Sequence, residues 1–410
     1  MSQKVPTTPD PVLIQPSSAA DVAAALRRAS DARQSIVIRG AGSKSDWGRP
    51  AARIDAILDM GRMNRILAHE HGDMTATIEA GATLRDVNAA LAVHGQTLPL
   101  DPPFAGRATI GGLLATNDSG PLRHRHGTPR DLVIGIQLAT TDGVLSKAGG
   151  RVVKNVAGYD LSKLITGSFG SLAVIVSATF KLAPIPAASQ TMRVSVRDLP
   201  MLADIVCIIM SSQLEPVAFE ISGGTQSSQS THSNNVSADF AAFAFRVLVR
   251  FASLPAVVEA QIAQATAALK DCKTTIDVLE GDEERALWQA HATGIWERPG
   301  AVVRVNWLPA TLAEGLAEIE RIAGGIEIAG RAGIGAGLLR IDGGLFKQIT
   351  VLTHLRASGI FGNVVIVRGS DELKAKVDVW GSHGDRQPLF DALKRTFDPN
   401  GVLNAGRGPL

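Results

Sequence analysis

Arg39-Gly40-Ala41-Gly42-Ser43-Lys44 is the stretch on which the fold turns. The β-branched run Ser35 to Arg39 predicts a strand, and Asp46, Gly48 and Pro50 prevent a helix from following, so these glycines leave a strand and enter a loop. Glycine lets a backbone approach a ligand closely and aim several N–H groups at one anion, as the pyrophosphate of a dinucleotide requires. Thr109-Ile110-Gly111-Gly112 through Gly120, Gly167-Ser168-Phe169-Gly170 and Phe397-Asp398-Pro399-Asn400-Gly401 have the same character. Two nucleotide motifs fail on context. Ser45 stands where the nicotinamide fingerprint has its third glycine, with no helix behind it, and the Gly-x4-Gly-Lys-Ser/Thr spacing of a phosphate loop is absent.

The chain has 410 residues, enough for two or three domains and a large core. With 45% hydrophobic residues, 20% charged and 41 glycines, disorder and collagen-like repeats are excluded. A formal charge of +2 and no basic run with interleaved aromatics argue against nucleic acid. The one dense basic cluster, Arg123-His124-Arg125-His126, reads equally as a solvated loop or as an anion or partner contact. Met1 to Pro11 lacks the pattern of a secretory signal, and apolar runs such as Leu202 to Met210 fall far short of the ~20 residues that span a bilayer. A cytoplasmic protein is expected, reaching a membrane only through partners. Cys207 and Cys272 are expected to be reduced, buried thiols, too few for a disulfide framework, a zinc site or an iron–sulfur site, so no metal site is expected.

Ser17-Ser18-Ala19-Ala20-Asp21 as an N-cap with an acidic first turn, and the spacing of Val22, Ala25, Leu26 and Ala29, predict a helix over 18–32. Strands are expected at Thr75 to Glu79, Asp131 to Thr140 and Ser171 to Leu182, a helix at Thr83 to Val93, and a hairpin turn at Thr141-Asp142-Gly143. Pro184 and Pro186 mark a boundary. Beyond it, strands at 192–196, 217–221, 243–251, 274–279, 302–307, 326–329, 337–341 and 363–368 alternate with helices at 201–210, 256–269, 312–323 and 348–357. This pattern predicts an antiparallel sheet backed by helices on one face. Ser222 to Asp239 is expected to be a mobile loop, and Gln387 to Thr396 a last helix.

The strand-loop at Arg39 to Ser43, the Thr109-Ile110-Gly111-Gly112 stretch and the Asn404 tail resemble the vanillyl-alcohol oxidase family of FAD proteins. Within it, Gly120-Pro121, Arg123, Gly127, Arg130-Asp131, the block from Gly150 through Lys154-Asn155-Val156-Ala157-Gly158-Tyr159-Asp160, Lys163-Leu164 and Gly167 to Gly170 resemble the smaller FAD-binding subunit of bacterial glycolate oxidase. The resemblance implies an α+β fold: a PCMH-type FAD-binding domain of two α+β subdomains over 1–186, an antiparallel-sheet-and-helix cap over 187–375, and a segment over 376–410 returning to the FAD site. It implies that Arg39, Gly40, Ala41, Gly42, Ser43 and Lys44 hold the pyrophosphate, with Lys44 a phosphate contact. Gly111, Gly112 and Gly120 would lie near the cofactor, with Pro102, Thr109 and Thr116 toward phosphate or ribityl, Ile175 at the adenine and Asn404 at the flavin. Ser43 and Lys44 stand where covalent relatives carry a linking histidine, so FAD is expected to be non-covalent.

Oxidising a 2-hydroxy acid takes a cation for the carboxylate and a base for the hydroxyl proton. The His-x-Gly-Asp-Gly-Asn-x-His cluster of related dehydrogenases is absent, and His383-Gly384-Asp385 reads as a loop. His291, Arg298, Arg304, Arg340 and His354 are candidates for a cap-side pocket, although each residue type is more often structural; no catalytic residue is assigned. The expected role is therefore an FAD-carrying component of a glycolate dehydrogenase, beside a catalytic flavoprotein subunit and an iron–sulfur subunit at the inner membrane. A self-sufficient oxidase of a sugar alcohol or lactone, and a scaffold with structural FAD, remain open alternatives.

Overall fold

The computed structural model describes residues 10–150, 159–224, 245–323 and 327–410. Residues 151–158 of the resemblance block and 225–239 of the expected mobile loop lie outside them. The N-terminal region runs β1 (Val12–Ile14), α1 (Ala19–Asp31), β2 (Ile36–Arg39), β3 (Ala56–Asp59), β4 (Ile66–Glu70), β5 (Thr75–Glu79), α2 (Leu84–Ala92), β6 (Gln96–Thr97) and α3 (Ile110–Thr116). It continues through α4 (Arg123–His126), α5 (Pro129–Leu132), β7 (Val133–Ala139), β8 (Leu145–Gly149), α6 (Leu161–Ile165), β9 (Val174–Lys181) and β10 (Ala183–Pro184). A three-stranded parallel sheet, β1-β3-β2, and a five-stranded antiparallel sheet, β4-β5-β9-β7-β8, share one core. Leu26, Ile36, Leu58, Ile78, Leu98, Leu114 and Val174 are fully excluded from solvent within it.

Local chemistry sets the helix ends. Ser18 accepts the N–H of Asp21 at the start of α1, and Thr83 accepts that of Asp86 at the start of α2. The Thr109 stretch, expected as a loop, opens a helix instead. Thr109 is its N-cap, Ile110, Leu113 and Leu114 bury their side chains, and Asn117 ends it in the left-handed region at φ 46°. Glycine at 111 is required by packing, since a Cβ there would lie 2.9 Å from the Ala80 Cβ.

The second region comprises β11 (Ala188–Val196), α7 (Leu199–Ser211), β12 (Ala218–Gly223), β13 (Phe245–Ser253), α8 (Pro255–Ala268), β14 (Ile276–Glu280), α9 (Gly281–Glu297) and β15 (Ala301–Asn306). α10 (Leu312–Ala323), β16 (Glu327–Arg331), β17 (Ala336–Ile341), α11 (Leu345–Ala357), β18 (Asn363–Arg368) and α12 (Asp371–Lys376) complete it. Its eight-stranded sheet, in the order β14-β11-β13-β12-β16-β17-β15-β18, is antiparallel throughout, with one register shift between β15 and β18 at Val302/Val303. Val194, Phe219, Val249, Val303, Ile328 and Leu339 pack with α7, α8, α10 and α11 into a second core. Their strand neighbours Arg193, Glu220, Arg250, Arg304, Arg331 and Arg340 point to the opposite face.

One helix departs from the expected single-sided arrangement. On α9, Glu284 accepts from the hydroxyls of Ser189 and Thr191, which stand on the charged face. Trp296, at the other end of the same helix, stacks on Trp47 of the N-terminal region with ring centroids 5.4 Å apart. The expected buried thiols also need correction: Cys207 is exposed and Cys272 half-buried. Leu202, Ile205, Val206 and Ile209 take the inward face of α7, which turns Cys207 outward.

The chain ends with α13 (Gln387–Phe397), after which the tail returns to β2. Ile36 donates to the carbonyl of Val402 at 2.8 Å, and Asn404 donates to that of Ile36 at 2.9 Å. Asp398, 2% exposed, fixes this return by accepting from Val402 and Leu403 at 2.9 and 2.8 Å, and it pairs with Lys394 at 2.6 Å. Breaking a buried pair and stranding two amides costs about 3 kcal/mol. Asp398→Ala is expected to lose about that much stability in urea unfolding, with the flavin released at lower denaturant than the cap unfolds.

Candidate FAD site

The loop after β2 forms one wall of a cavity of about 320 Å³. Arg39, Gly40, Ala41, Gly42, Ser43 and Lys44 line it, with Thr109, Gly111, Gly112 and Thr116 from α3 and its cap, Ile175 from β9, and Asn404 from the tail. Pro102 and Gly120 stand outside this wall. A Cβ at Gly120 would fall 1.8 Å from the Asp101 carbonyl oxygen, so that glycine answers a backbone close approach. Sequence reading missed Ile57, Met60, Phe169 and Arg407, which are also in the lining. Ile57 and Met60 come from β3 and the turn after it and carry no glycine signature, whereas Phe169 and Arg407 stand beside glycines whose role alone was read.

The amides of Ala41, Gly42, Ser43 and Lys44 make no hydrogen bond to another group among the described residues. Consecutive unpaired N–H groups on a cavity wall form an anion-binding concavity, and Gly42 holds it open at φ 73°. Loop carbonyls are fixed from behind: Arg407 donates to the oxygen of Lys44 at 2.9 Å and to that of Trp47 at 3.3 Å. Gly40 packs on the α3 cap so closely that a Cβ would meet the Thr109 Oγ1 at 2.3 Å. Asn404 accepts from the Ile38 amide at 3.1 Å and donates to the Phe169 carbonyl at 2.6 Å, so its side chain ties β2 to the Gly167–Gly170 turn. The donor set and the shape fit a dinucleotide.

Charge gathers where the cavity meets the cap. Lys44 pairs with Asp118 at 3.2 Å, both side chains almost fully buried, and lies 5.3 Å from the Trp47 ring centroid. Arg304, on β15, lies 5.7 Å from the centroid of the same Trp47 ring and 3.9 Å from Asp118. Burial pulls the Arg304 guanidinium below its usual range, opposed by Asp118 and reinforced by Arg331. Arg123 is lowered the same way, by burial first and then by Arg331 and Arg304. Arg331 donates to the Ser119 carbonyl at 2.6 Å and faces Glu220, which His291 also contacts at 3.0 Å. The cluster 123–126 is therefore no solvated loop. It forms α4 beneath the cap, where His124 meets Phe219 edge-on and Arg125 pairs with Glu215.

The other candidates disperse. His291 is buried against Glu220, Arg340 pairs with Glu327, Arg298 reaches Glu327 at 3.6 Å, and exposed His354 bonds its own helix at Thr350. His383 sits edge-on to Phe390. Among the described residues lining the cavity the ionisable ones are Arg39, Lys44 and Arg407, with no histidine or carboxylate.

The FAD binding domain family matches residues 10–149, and the chain is an FAD-dependent oxidoreductase with a PCMH-type FAD-binding fold. D-2-hydroxyglutarate dehydrogenase of Xanthomonas citri pv. viticola is 28% identical, over 98% of this chain and 89% of that protein. Glycolate oxidase subunit GlcE of Escherichia coli (strain K12) is 38% identical, but the match covers 44% of this chain and 51% of that subunit. p-Cresol methylhydroxylase with substrate bound has a TM-score of 0.73 at 16% identity, covering 96% of this chain and 88% of that one, which shows the fold. The resemblance to the glycolate oxidase subunit is thus partial, and near full-length similarity extends to a dehydrogenase of a different hydroxy acid.

Two outcomes test this geometry. Lys44→Ala is expected to weaken FAD binding roughly tenfold, the loss of one charge-assisted contact, read from the fluorescence of released flavin. Asp101, desolvated and held only by the Leu122 amide and distant arginines, has its carboxyl pushed up to about 7. Its folded value thus exceeds its unfolded one, so stability falls as pH rises from the unfolded toward the folded value. Asp101→Asn removes that titration. Its stability advantage over the parent is expected to grow by roughly 1–2 kcal/mol between about pH 5 and pH 8 in denaturant melts.

Proposed function

We propose that this chain is the FAD-carrying component of a dehydrogenase for small 2-hydroxy acids, with glycolate as substrate, acting beside a catalytic flavoprotein subunit and an iron–sulfur subunit. The reading is carried by the cavity wall, which among the described residues offers cations and unpaired amides but no histidine or carboxylate. Bound FAD, held non-covalently, supplies two-electron redox chemistry. The chain's own residues bind and orient: the 41–44 amides and Lys44 hold the anionic cofactor, and Arg304 presents a guanidinium at the cap-side mouth. Trp47, stacked on Trp296, stands beside it. A hydroxyl proton needs a base that this wall lacks, which a partner subunit would provide. Electrons also leave to a partner, because two cysteines cannot supply the four thiolates of an iron–sulfur cluster.

The similarity to the Xanthomonas dehydrogenase across 98% of this chain favours a second reading. Here Arg123, Arg304 and Arg331 together receive a dicarboxylate and the chain oxidises it unaided.

Anaerobic mixing separates the two. The isolated FAD-loaded chain is expected to keep its yellow absorbance with glycolate and with 2-hydroxyglutarate, while tagged chain from native cells co-purifies with an iron-bearing partner and is bleached by glycolate. Rapid bleaching of the isolated chain would overturn the division of labour, and the acid that causes it would name the substrate.

A further inference from the structure

Three histidines that are scattered in sequence meet at the edge of the five-stranded sheet. His69 lies on β4, His71 follows in the turn, and His94 stands just past the end of α2. Each offers a ring nitrogen, and these nitrogens all lie within 4.8 Å of one another. The His71 and His94 rings stack with centroids 3.8 Å apart, and His69 stands edge-on to both at 4.6 and 5.2 Å. None of the three lines the FAD cavity.

A partner outside the trio orients it. The His69 Nε2 donates to the Gln96 Oε1 at 2.8 Å, while the Gln96 Nε2 donates to the His71 carbonyl at 2.9 Å. The second bond settles which end of the buried amide faces His69. The proton therefore sits on Nε2, and Nδ1 keeps a free lone pair. Such an outer carbonyl or amide on a ring N–H is how metal-binding histidines are fixed in tautomer and direction.

We propose that His69, His71 and His94 bind one divalent transition-metal ion of the zinc type, with Gln96 as positioning residue. Three imidazoles suit zinc, copper or nickel over magnesium or calcium. Bonds of about 2.0–2.1 Å in a tetrahedral site separate ligand nitrogens by roughly 3.4 Å. The present spread thus closes by rotation of His71 and His94, whose side chains are exposed. A fourth position stays open to water or an external ligand. The ion would cross-link β4 to the α2–β6 connection, remote from the cavity and without a role in holding FAD.

Calorimetric titration of tag-free, FAD-loaded protein with zinc chloride tests the site. One ion per chain is expected, with affinity lowered about tenfold or more by His94→Ala or His71→Ala, and 10- to 100-fold by Gln96→Ala. Copper(II) added instead should show nitrogen hyperfine splitting that shrinks in His94→Ala. Flavin content and spectrum should be unchanged in every variant, which reports folding independently of the metal. Absence of saturable binding, or equal binding by the parent and both histidine variants, would overturn the proposal.

Discussion

A loop whose amides must stay unpaired has to be held by everything except its amides, and the rest of the site depends on that constraint. Gly40 to Lys44 meet it through contacts on the other side of the backbone. Arg407 grips the carbonyls of Lys44 and Trp47, Gly40 presses against Thr109, and β2 is bracketed by β3 and by the returning tail. Rigidity obtained this way leaves donor capacity intact for an anion, whereas rigidity from a helix or ladder would consume it.

The two halves of the molecule are joined by a different physics. Trp47 and Trp296 lie nearly parallel, at 12° between ring planes, with Arg304 against the first and Arg368 against the second. Flat aromatic surfaces tolerate cations on their faces, so this contact carries positive charge across a buried junction without requiring an equal number of carboxylates. The eight-stranded sheet supplies that charge because its alternation puts aliphatic side chains toward the helices and arginines toward the cavity side.

Much of this was legible in the sequence. α1, β5, α2 and β18 follow from apolar period and capping residues, and the glycines of the 40–42 loop announced a strand without a following helix. What escaped was structure whose signal is not apolar. α9 buries only Glu284, Ile295 and Trp296, because it lies on a polar sheet face, and therefore shows no hydrophobic stripe. α3 was hidden by Gly111-Gly112, the first of which packs where Ala80 leaves no room for a side chain. The arginines could be seen as strand residues, but which face they shared depended on register. The pair His69-Glu70-His71 could not be joined to His94 from the sequence, since the turn after β4 and the end of α2 meet only in the folded chain.

The return of the tail also orders events in time. Ile38 receives its partner from Asn404, 366 positions later in the chain, so the N-terminal half cannot be finished as it is synthesised. It must wait, with β2 open on one side, until the entire intervening sheet has been made and has collapsed. Contacts this distant slow folding and lengthen exposure of an unpaired strand, which gives the nascent chain a period of vulnerability to misassociation that lasts until the Asn404 segment docks.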